Sequence, residues 1–390
     1  MKTAVITDAK YRTVVAAART LGRAGYKIIL TQTRDDCHLT PPAFDSRYVI
    51  EKRWIPGSVS DRLYANRLYD ILREYPRPVL LCVGAVSQNT LSWQRERFSK
   101  ICDFLIAPPH ALDMLNDKAV VYRRCLDLNL PVPKQYNNSK PDSYPVIIKP
   151  RCGERFGLKA KDRYKIARND HEFSAAVSAM SRWDPEPLIQ EKLIGDGEGA
   201  CLLLNRDSEL IDFICHRRIR EYPVTGGPSS CCESIYRPDL ISQAYTLLKS
   251  FQFQGLAMVE FKAGKILEVN PRIWGSFPLT EKAGSPIAIR YALASAGEYN
   301  PDYSDKSPDH YLNISYSRGN PVDLKPAYRN GVRMRFLLND TAAMLDLLRH
   351  GRFRDFLSAI PDCFSAQEAL SSHDDPGPMR RYLRNIFLRR

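Results

Sequence analysis

Two short apolar runs, TAVITD at residues 3–8 and YKIILTQT at 26–33, flank a stretch from about Arg12 to Gly25 in which small and apolar residues recur at helical spacing. A continuous apolar run bounded by turn residues suits a strand covered on both faces, and a helix between two such strands brings the chain back in parallel. The opening therefore reads as a β-α-β unit. This constrains the fold more than any other feature, because a parallel sheet must be buried on both sides.

PVLLCVGA (78–85) and DFLIAPP (103–109) add two further apolar strands after helical stretches, so residues 1–108 are expected to form a Rossmann-like parallel sheet. The first turn reads DAKYRTVV and lacks the G-x-G-x-x-G spacing, which argues against a dinucleotide there. The chain has 390 residues, enough for two or three domains, with 44% hydrophobic and 26% charged residues. Mean hydropathy is -0.36, and no apolar run approaches the roughly 18 residues of a membrane span. The apolar core of MKTAVITDAKYR is short for a signal peptide, so a cytoplasmic protein is expected.

Ten cysteines occur without a C-x-x-C pair or a spaced histidine pair, which argues against zinc and for reduced, mostly buried thiols; Cys231 and Cys232 are adjacent. A net charge of +13 suits nucleic acid, an anionic membrane surface or phosphorylated substrates. The basic residues are spread out and no zinc-finger, RNP or helix-turn-helix signature accompanies them, so no nucleic-acid partner is expected.

The pattern changes after residue 108. Pro109 to Leu130 has helical spacing of Leu, Met, Val and Cys and stops at PVPK. YPVIIKPRCGERFG (144–157) gives a strand, a lysine and a glycine-bearing loop, EPLIQEKLIGDGEGACLLLN (186–205) two strands around a polar bend, and ELIDFICHRRIREYP (209–223) another strand. GLAMVEFKAGKILEVN (255–270) is a hairpin whose turn is expected to be the three residues Ala263-Gly264-Lys265. This middle region reads as α+β and largely antiparallel. PDYSDKSPDH (301–310) reads as a linker, TAAMLDLLRHGRFRDFLSAI (341–360) as helical, and the terminal RRYLRNIFLRR has five arginines and no acid.

With that turn, Glu260 lies across from Glu268 on one face, and Asn270 shares it two positions on. Two facing carboxylates repel unless something neutralises them. Two carboxylates and an amide suit a hard cation such as Mg²⁺ or Mn²⁺; the alternative is pairing with Lys262 and Lys282. Lys149 ends an apolar strand before a loop with Gly153 and Gly157, where an ammonium and backbone N–H groups would cradle phosphates. Lys118 opens a helix, a position that disfavours a cation unless it faces an anion.

NDK with Lys118, VIIKP with Lys149, the loop RCGERFG, LIQEKLIGDGEG, MVEF and EVNPR follow one another in an order and spacing that resembles the ATP-grasp superfamily. The resemblance is to its carboxylate-amine ligase type, akin to biotin carboxylase and carbamoyl-phosphate synthetase, and covers roughly residues 1–300. It implies a pre-ATP-grasp domain at 1–108, a two-lobed ATP-grasp domain at 109–305 with a lid lobe at about 132–188, and a basic extension at 306–390. It further implies that Lys118 and Lys149 contact ATP phosphates, with the loop Cys152 to Gly157, which carries Gly153, folding over them. Glu191, Lys192 and Ile194 would meet adenine, Glu198 would hold the ribose, and Glu260, Glu268 and Asn270 would bind two Mg²⁺. Arg272 would stabilise the acyl phosphate. The loop CGERFG is poorer in glycine than many family loops.

The reaction so implied is ATP-dependent formation of an acyl phosphate from a substrate carboxylate, then its capture by an amine. HRRIREYPVTGGPSS (216–230) is the candidate for choosing the substrate, with Arg218 a catalytic candidate beside Arg272 and Lys149; His216 reads as either a structural residue or a proton carrier, and Trp274 as core. The alternatives are a bicarbonate-using carboxylase-like enzyme and a catalytically silent nucleotide-binding regulator. The basic tail would either dock on an anionic membrane or cap a homodimer.

Overall fold

The computed structural model describes residues 2–136, 140–152, 163–224, 227–300 and 325–388. Its N-terminal part holds β1 (Thr3–Ile6), β2 (Lys27–Thr33), β3 (Val49–Ile55) and β4 (Val79–Leu81), with α1 (Thr13–Arg23), α2 (Tyr64–Leu72), α3 (Ala85–Trp93) and α4 (Arg95–Phe98). The strands form a parallel sheet in the order β3-β2-β1-β4. Strands β1, β2 and β4 are the expected apolar runs. The fourth expected strand, DFLIAPP, is not one: a single bridge from Asp103 to Val79 is all the ladder it makes. Its apolar residues are used elsewhere, since Leu105 N–H donates to the Tyr291 hydroxyl at 3.3 Å and Leu105 O lies against Gly255. The edge strand is β3 instead, whose half-buried VIEKRWI lacks a continuous apolar run.

The helical stretch at 109–130 is two helices, α5 (Pro109–Asn116) and α6 (Lys118–Asp127), the second opening at Lys118 as expected. Asp117 breaks them. Its extended backbone leaves the helix, and its carboxylate accepts from Ala119 N–H at 2.8 Å and Val120 N–H at 3.3 Å, an N-cap that starts α6 at Lys118.

A small antiparallel sheet follows, in the order β6-β5-β7: β5 (Val146–Lys149), β6 (Lys165–Ala167) and β7 (Leu188–Glu191), backed by α7 (Asp170–Ser181). It has its own core of Tyr136, Val146, Ile148, Ala167, Met180 and Ile189. The larger sheet comprises β8 (Gly197–Leu204), β9 (Leu210–Glu221), β10 (Ser229–Ile235), β11 (Gly255–Lys262) and β12 (Lys265–Asn270), with α8 (Pro238–Ser250), α9 (Pro278–Ala283) and α10 (Ile287–Ser295). The tail adds β13 (Arg333–Arg335), α11 (Leu337–Arg349), α12 (Phe353–Ser365), β14 (Gln367–Glu368) and α13 (Gly377–Leu388). The order of this sheet is β12-β11-β8-β9-β10-β13-β14, so the tail extends the sheet rather than hanging from it. The helical 341–360 is two helices, parted at Gly351, whose φ of 70° a residue with a side chain rarely adopts. The expected linker at 301–310 lies outside the described residues.

Buried ion pairs bind the tail to the body. Arg220 of β9 meets Asp340 through two bonds of 2.8 Å and Asp362 at 2.5 Å, all three nearly inaccessible to water. Arg19 of α1 is fully buried against Asp375 at 2.8 Å. Asp340 also accepts from Ser230 Oγ, and Asp346 from Val224 N–H, so α11 holds both sides of the β9–β10 connection.

Candidate active site

The β11–β12 hairpin places the acids as expected, by a different turn. Lys262 pairs with Lys265, leaving a two-residue loop in which Ala263 and Gly264 both have positive φ, 50° and 73°. That tighter loop alone would set Glu260 opposite Leu267. A bulge between Glu260 and Phe261 absorbs one residue of β12 and restores the pair Glu260–Glu268. Asn270 Nδ2 donates to Glu260 Oε1 at 3.0 Å.

Neither acid pairs with Lys262 or Lys282 in the described contacts. Glu268 pairs with Lys118 at 3.0 Å, and Glu260 with Arg218 at 2.5 Å. Arg218 stands on β9, two strands from Glu260, and reaches across β8 because Gly197 and Gly199 lie beneath the path. A Cβ at Gly199 would sit 2.4 Å from His216 Cε1, and one at Gly197 3.1 Å from Arg218 Cδ. The glycines of GDGEG, legible in the sequence only as a bend, thus clear the strand for two side chains.

Lys149 ends β5 almost wholly buried. Burial pulls its ammonium down to about 8, only partly offset by the charge of Glu268. Burial alone would lower Lys118 too, but its ion pair with Glu268 outweighs this and leaves it above the ordinary value. For Glu268, burial favours the acid form, yet Lys118 and Lys149 hold it down to about 2. The Glu260 carboxylate raises Arg218. His216 is buried and its imidazole pulled down to about 3, first by burial and then by Arg218. At neutral pH it is an uncharged ring, 3.4 Å from Ser276 Oγ, and a poor proton carrier. Trp274 is core, at 1% exposure.

Arg272 follows Pro271 off the end of β12; its N–H donates to Asn270 O at 2.8 Å and its Nη2 lies 3.4 Å from Asn270 Oδ1. Gln88, at the start of α3, donates to Pro271 O at 2.5 Å and ties this turn to the parallel sheet. The cations Lys118, Lys149, Arg218 and Arg272 outnumber the carboxylates of Glu260 and Glu268. Such a site attracts a further anion.

The remaining expected residues are less united. Glu191 of β7 is committed: it pairs with Lys265 and accepts from Lys134 N–H at 2.9 Å. Lys192 N–H donates to Pro145 O at 3.1 Å, and Ile194 is 85% exposed. Glu198 pairs in register with Phe261, next to Glu260, and neighbours in a strand alternate, so Glu198 points to the opposite face of the sheet from the metal candidates. There it meets Arg237 at 2.6 Å and lines a cleft of about 430 Å³ with Arg217. Arg217 faces the same way and pairs with Glu233 at 2.6 Å; both adjacent arginines are paired, on opposite faces. Gly153 and Gly157 lie outside the described residues, as do Thr225 and Gly226 of the expected substrate loop.

Two contributors were not singled out from sequence. Asp117 both caps α6 under Lys118 and pairs with Arg151 at 2.7 Å beside the end of β5; an aspartate directly before a helical run is a readable cap signal. Gln88 carries no such signal, because its contact joins residues far apart in the chain.

The donor set fits a hard cation in kind: two carboxylates and one amide converge, with Asn270 Nδ2 turned to Glu260. Among the described residues no three of His, Cys, Asp and Glu gather into a metal-ligand cluster.

No protein-family model and no curated protein matches the sequence. Solved structures do match. The biotin carboxylase domain of 2-oxoglutarate carboxylase from Hydrogenobacter thermophilus, a dimer in complex with MgADP, ADP and bicarbonate, superposes with a TM-score of 0.59 at 14% identity over 78% of this chain and 71% of that one. A biotin carboxylase–β-γ-ATP complex from Campylobacter jejuni gives 0.59 at 14% identity, over 83% and 73%. N5-carboxyaminoimidazole synthetase from Staphylococcus aureus, complexed with ADP, gives 0.57 at 14% identity, over 77% and 78%. At this identity the likeness speaks for the fold alone: this chain has the ATP-grasp fold seen in the biotin carboxylases and carboxyaminoimidazole synthetase.

Proposed function

We propose that the protein is an ATP-dependent ligase that activates a substrate carboxylate as an acyl phosphate and joins it to an amine, with release of ADP and phosphate. One observation carries the reading: Glu260, Glu268, Asn270 and Arg218 share a single sheet face that Lys118 reaches from α6, and buried Lys149 is close enough to feel Glu268 and Glu260. Acids suited to a hard cation and cations in excess of them are what a metal–polyphosphate complex needs.

Glu260, Glu268 and Asn270 would hold Mg²⁺ or Mn²⁺, which when bound supplies charge neutralisation to the β- and γ-phosphates. Lys118 would turn from Glu268 towards phosphate oxygens, joined there by the Lys149 ammonium. Exposed Ile194 offers an apolar surface to adenine beside Glu191 and Lys192. Glu198 is left out of the ribose site because it faces the other way.

In the first half-reaction a carboxylate oxygen of the substrate forms a bond to the γ-phosphorus while the bond to the ADP oxygen breaks. In the second, the amine nitrogen attacks the acyl carbon, phosphate leaves with the bonding pair, and the amine proton is lost to phosphate or water. Arg272, held beside Asn270, faces the acyl phosphate, and Arg218 the reacting carboxylate. The protein contributes position and charge rather than a covalent bond.

A release assay for ADP over paired carboxylates and amines tests this, with hydroxylamine added to trap the acyl phosphate as a hydroxamate. Turnover is expected only with a carboxylate present, and Glu268→Gln is expected to abolish it with the fold intact. Near-normal turnover by that variant would sink the metal assignment. Bicarbonate belongs in the screen as a first acid, since the Hydrogenobacter structure holds it; carboxylation of the second substrate would then replace amide formation.

A further inference from the structure

Helix α13 is fastened on one side and bare on the other. On the inner side Arg381 pairs with Asp45 at 2.7 Å, Asn385 Nδ2 donates to Thr40 O at 2.8 Å, and Met379 and Tyr382 pack on the main core. The outer side exposes Leu383, Phe387 and Leu388 at 38, 72 and 60%, together with exposed Arg380 and Arg384. At roughly 3.6 residues per turn these five side chains fall within an arc of about 140°. No acidic residue occurs from Pro376 to Leu388. Neither Arg380 nor Arg384 has an ion pair among the described residues, whereas Arg217, Arg218, Arg220, Arg237 and Arg333 do.

An exposed face that mixes large apolar groups with unpaired guanidiniums requires a partner that is both anionic and apolar at the same depth. We propose that α13 lies flat on an anionic lipid surface, with Phe387, Leu383 and Leu388 in the headgroup boundary and Arg380 and Arg384 among the phosphates. This is the chemistry of an interfacial helix. A second copy of the chain fits the face poorly, because a two-fold contact through it brings these arginines against their own images. A nucleic acid would meet the arginines and leave three apolar side chains in water. The same extension exposes a further apolar stripe on α12: Phe353, Leu357 and Phe364 are 63, 61 and 88% exposed on one side of that helix. No helix among the described residues is long and apolar enough to cross a membrane, so the contact is peripheral.

The full chain is to be sedimented with vesicles of phosphatidylcholine alone and of phosphatidylcholine with phosphatidylglycerol. It is expected to pellet with the anionic vesicles only, and less as salt is raised. Arg380→Glu with Arg384→Glu should weaken binding more than tenfold, since each arginine near such a surface is worth about fivefold. Phe387→Glu should weaken it comparably, and none of the three should alter nucleotide binding in solution. The proposal is overturned if the parent stays in the supernatant with anionic vesicles at low salt, or if the variants pellet like the parent. It is equally overturned if the substitutions dissociate a dimer while no vesicle binding is found.

Discussion

Lys149 is the group whose removal separates stability from function. Its ammonium is held down to about 8 from an ordinary 10.5, chiefly by burial. At about 1.4 kcal/mol per pKa unit, keeping it charged at neutral pH costs the folded chain about 3 kcal/mol. Because the folded value is the lower one, the unfolded chain binds the extra proton between about 8 and 10.5, and stability rises with pH across that window. Below pH 8 the cost is present in full. Lys149→Met is therefore expected to stabilise the nucleotide-free protein by about 3 kcal/mol at pH 7, with the gain shrinking towards zero near pH 10.5. Urea denaturation of variant and parent at about pH 7 and about pH 10 reads the difference, so that groups titrating in both cancel. MgADP should protect the parent at pH 7 and not the variant, since the ammonium's reason to be there is the phosphate. A variant less stable than the parent at pH 7, or a gain that is equal at both pH values, would refute the reasoning.

Other substitutions probe the frame of the site. Gly199→Ala would drive a methyl to 2.4 Å from His216 and disturb the crossing of Arg218; a loss of about 1–3 kcal/mol in urea denaturation is expected, together with weaker protection by MgADP. Asp340→Asn takes away one of the two carboxylates that hold buried Arg220 and leaves it only Asp362, which should cost about 1–3 kcal/mol and make the C-terminal extension the first segment released by limited proteolysis.

Local chemistry was legible in the sequence wherever short-range rules decide. Apolar runs located β1, β2, β4 and β5, and alternation in β11 and β12 put Glu260 across from Glu268. The pairing survived a misread turn only because a bulge compensated for the shorter loop. What was misread depends on distant partners. DFLIAPP has the composition of a strand, yet the backbone of Leu105 meets Gly255 and the Tyr291 hydroxyl, some hundred and fifty residues or more away in sequence. The half-buried β3 hides among charged residues because an edge strand needs only one covered side. Glu198 was assigned by motif; its alternation with Gly199 turns it to the other face, a register known only once β8 pairs with β11. The partners of Glu260 and Glu268 were equally out of reach, since Arg218 and Lys118 arrive from other elements.

The central claim is that one sheet face binds a metal–nucleotide complex, and calorimetric titration of ADP with and without Mg²⁺, on the parent and on Glu268→Gln, tests it most directly. The parent is expected to bind ADP much more tightly when Mg²⁺ is present. Glu268→Gln removes one carboxylate from a face rich in cations, so it should bind metal-free ADP at least as well as the parent and lose the gain from Mg²⁺. Mg²⁺ dependence that is unchanged in the variant, or absent from the parent, would contradict the account.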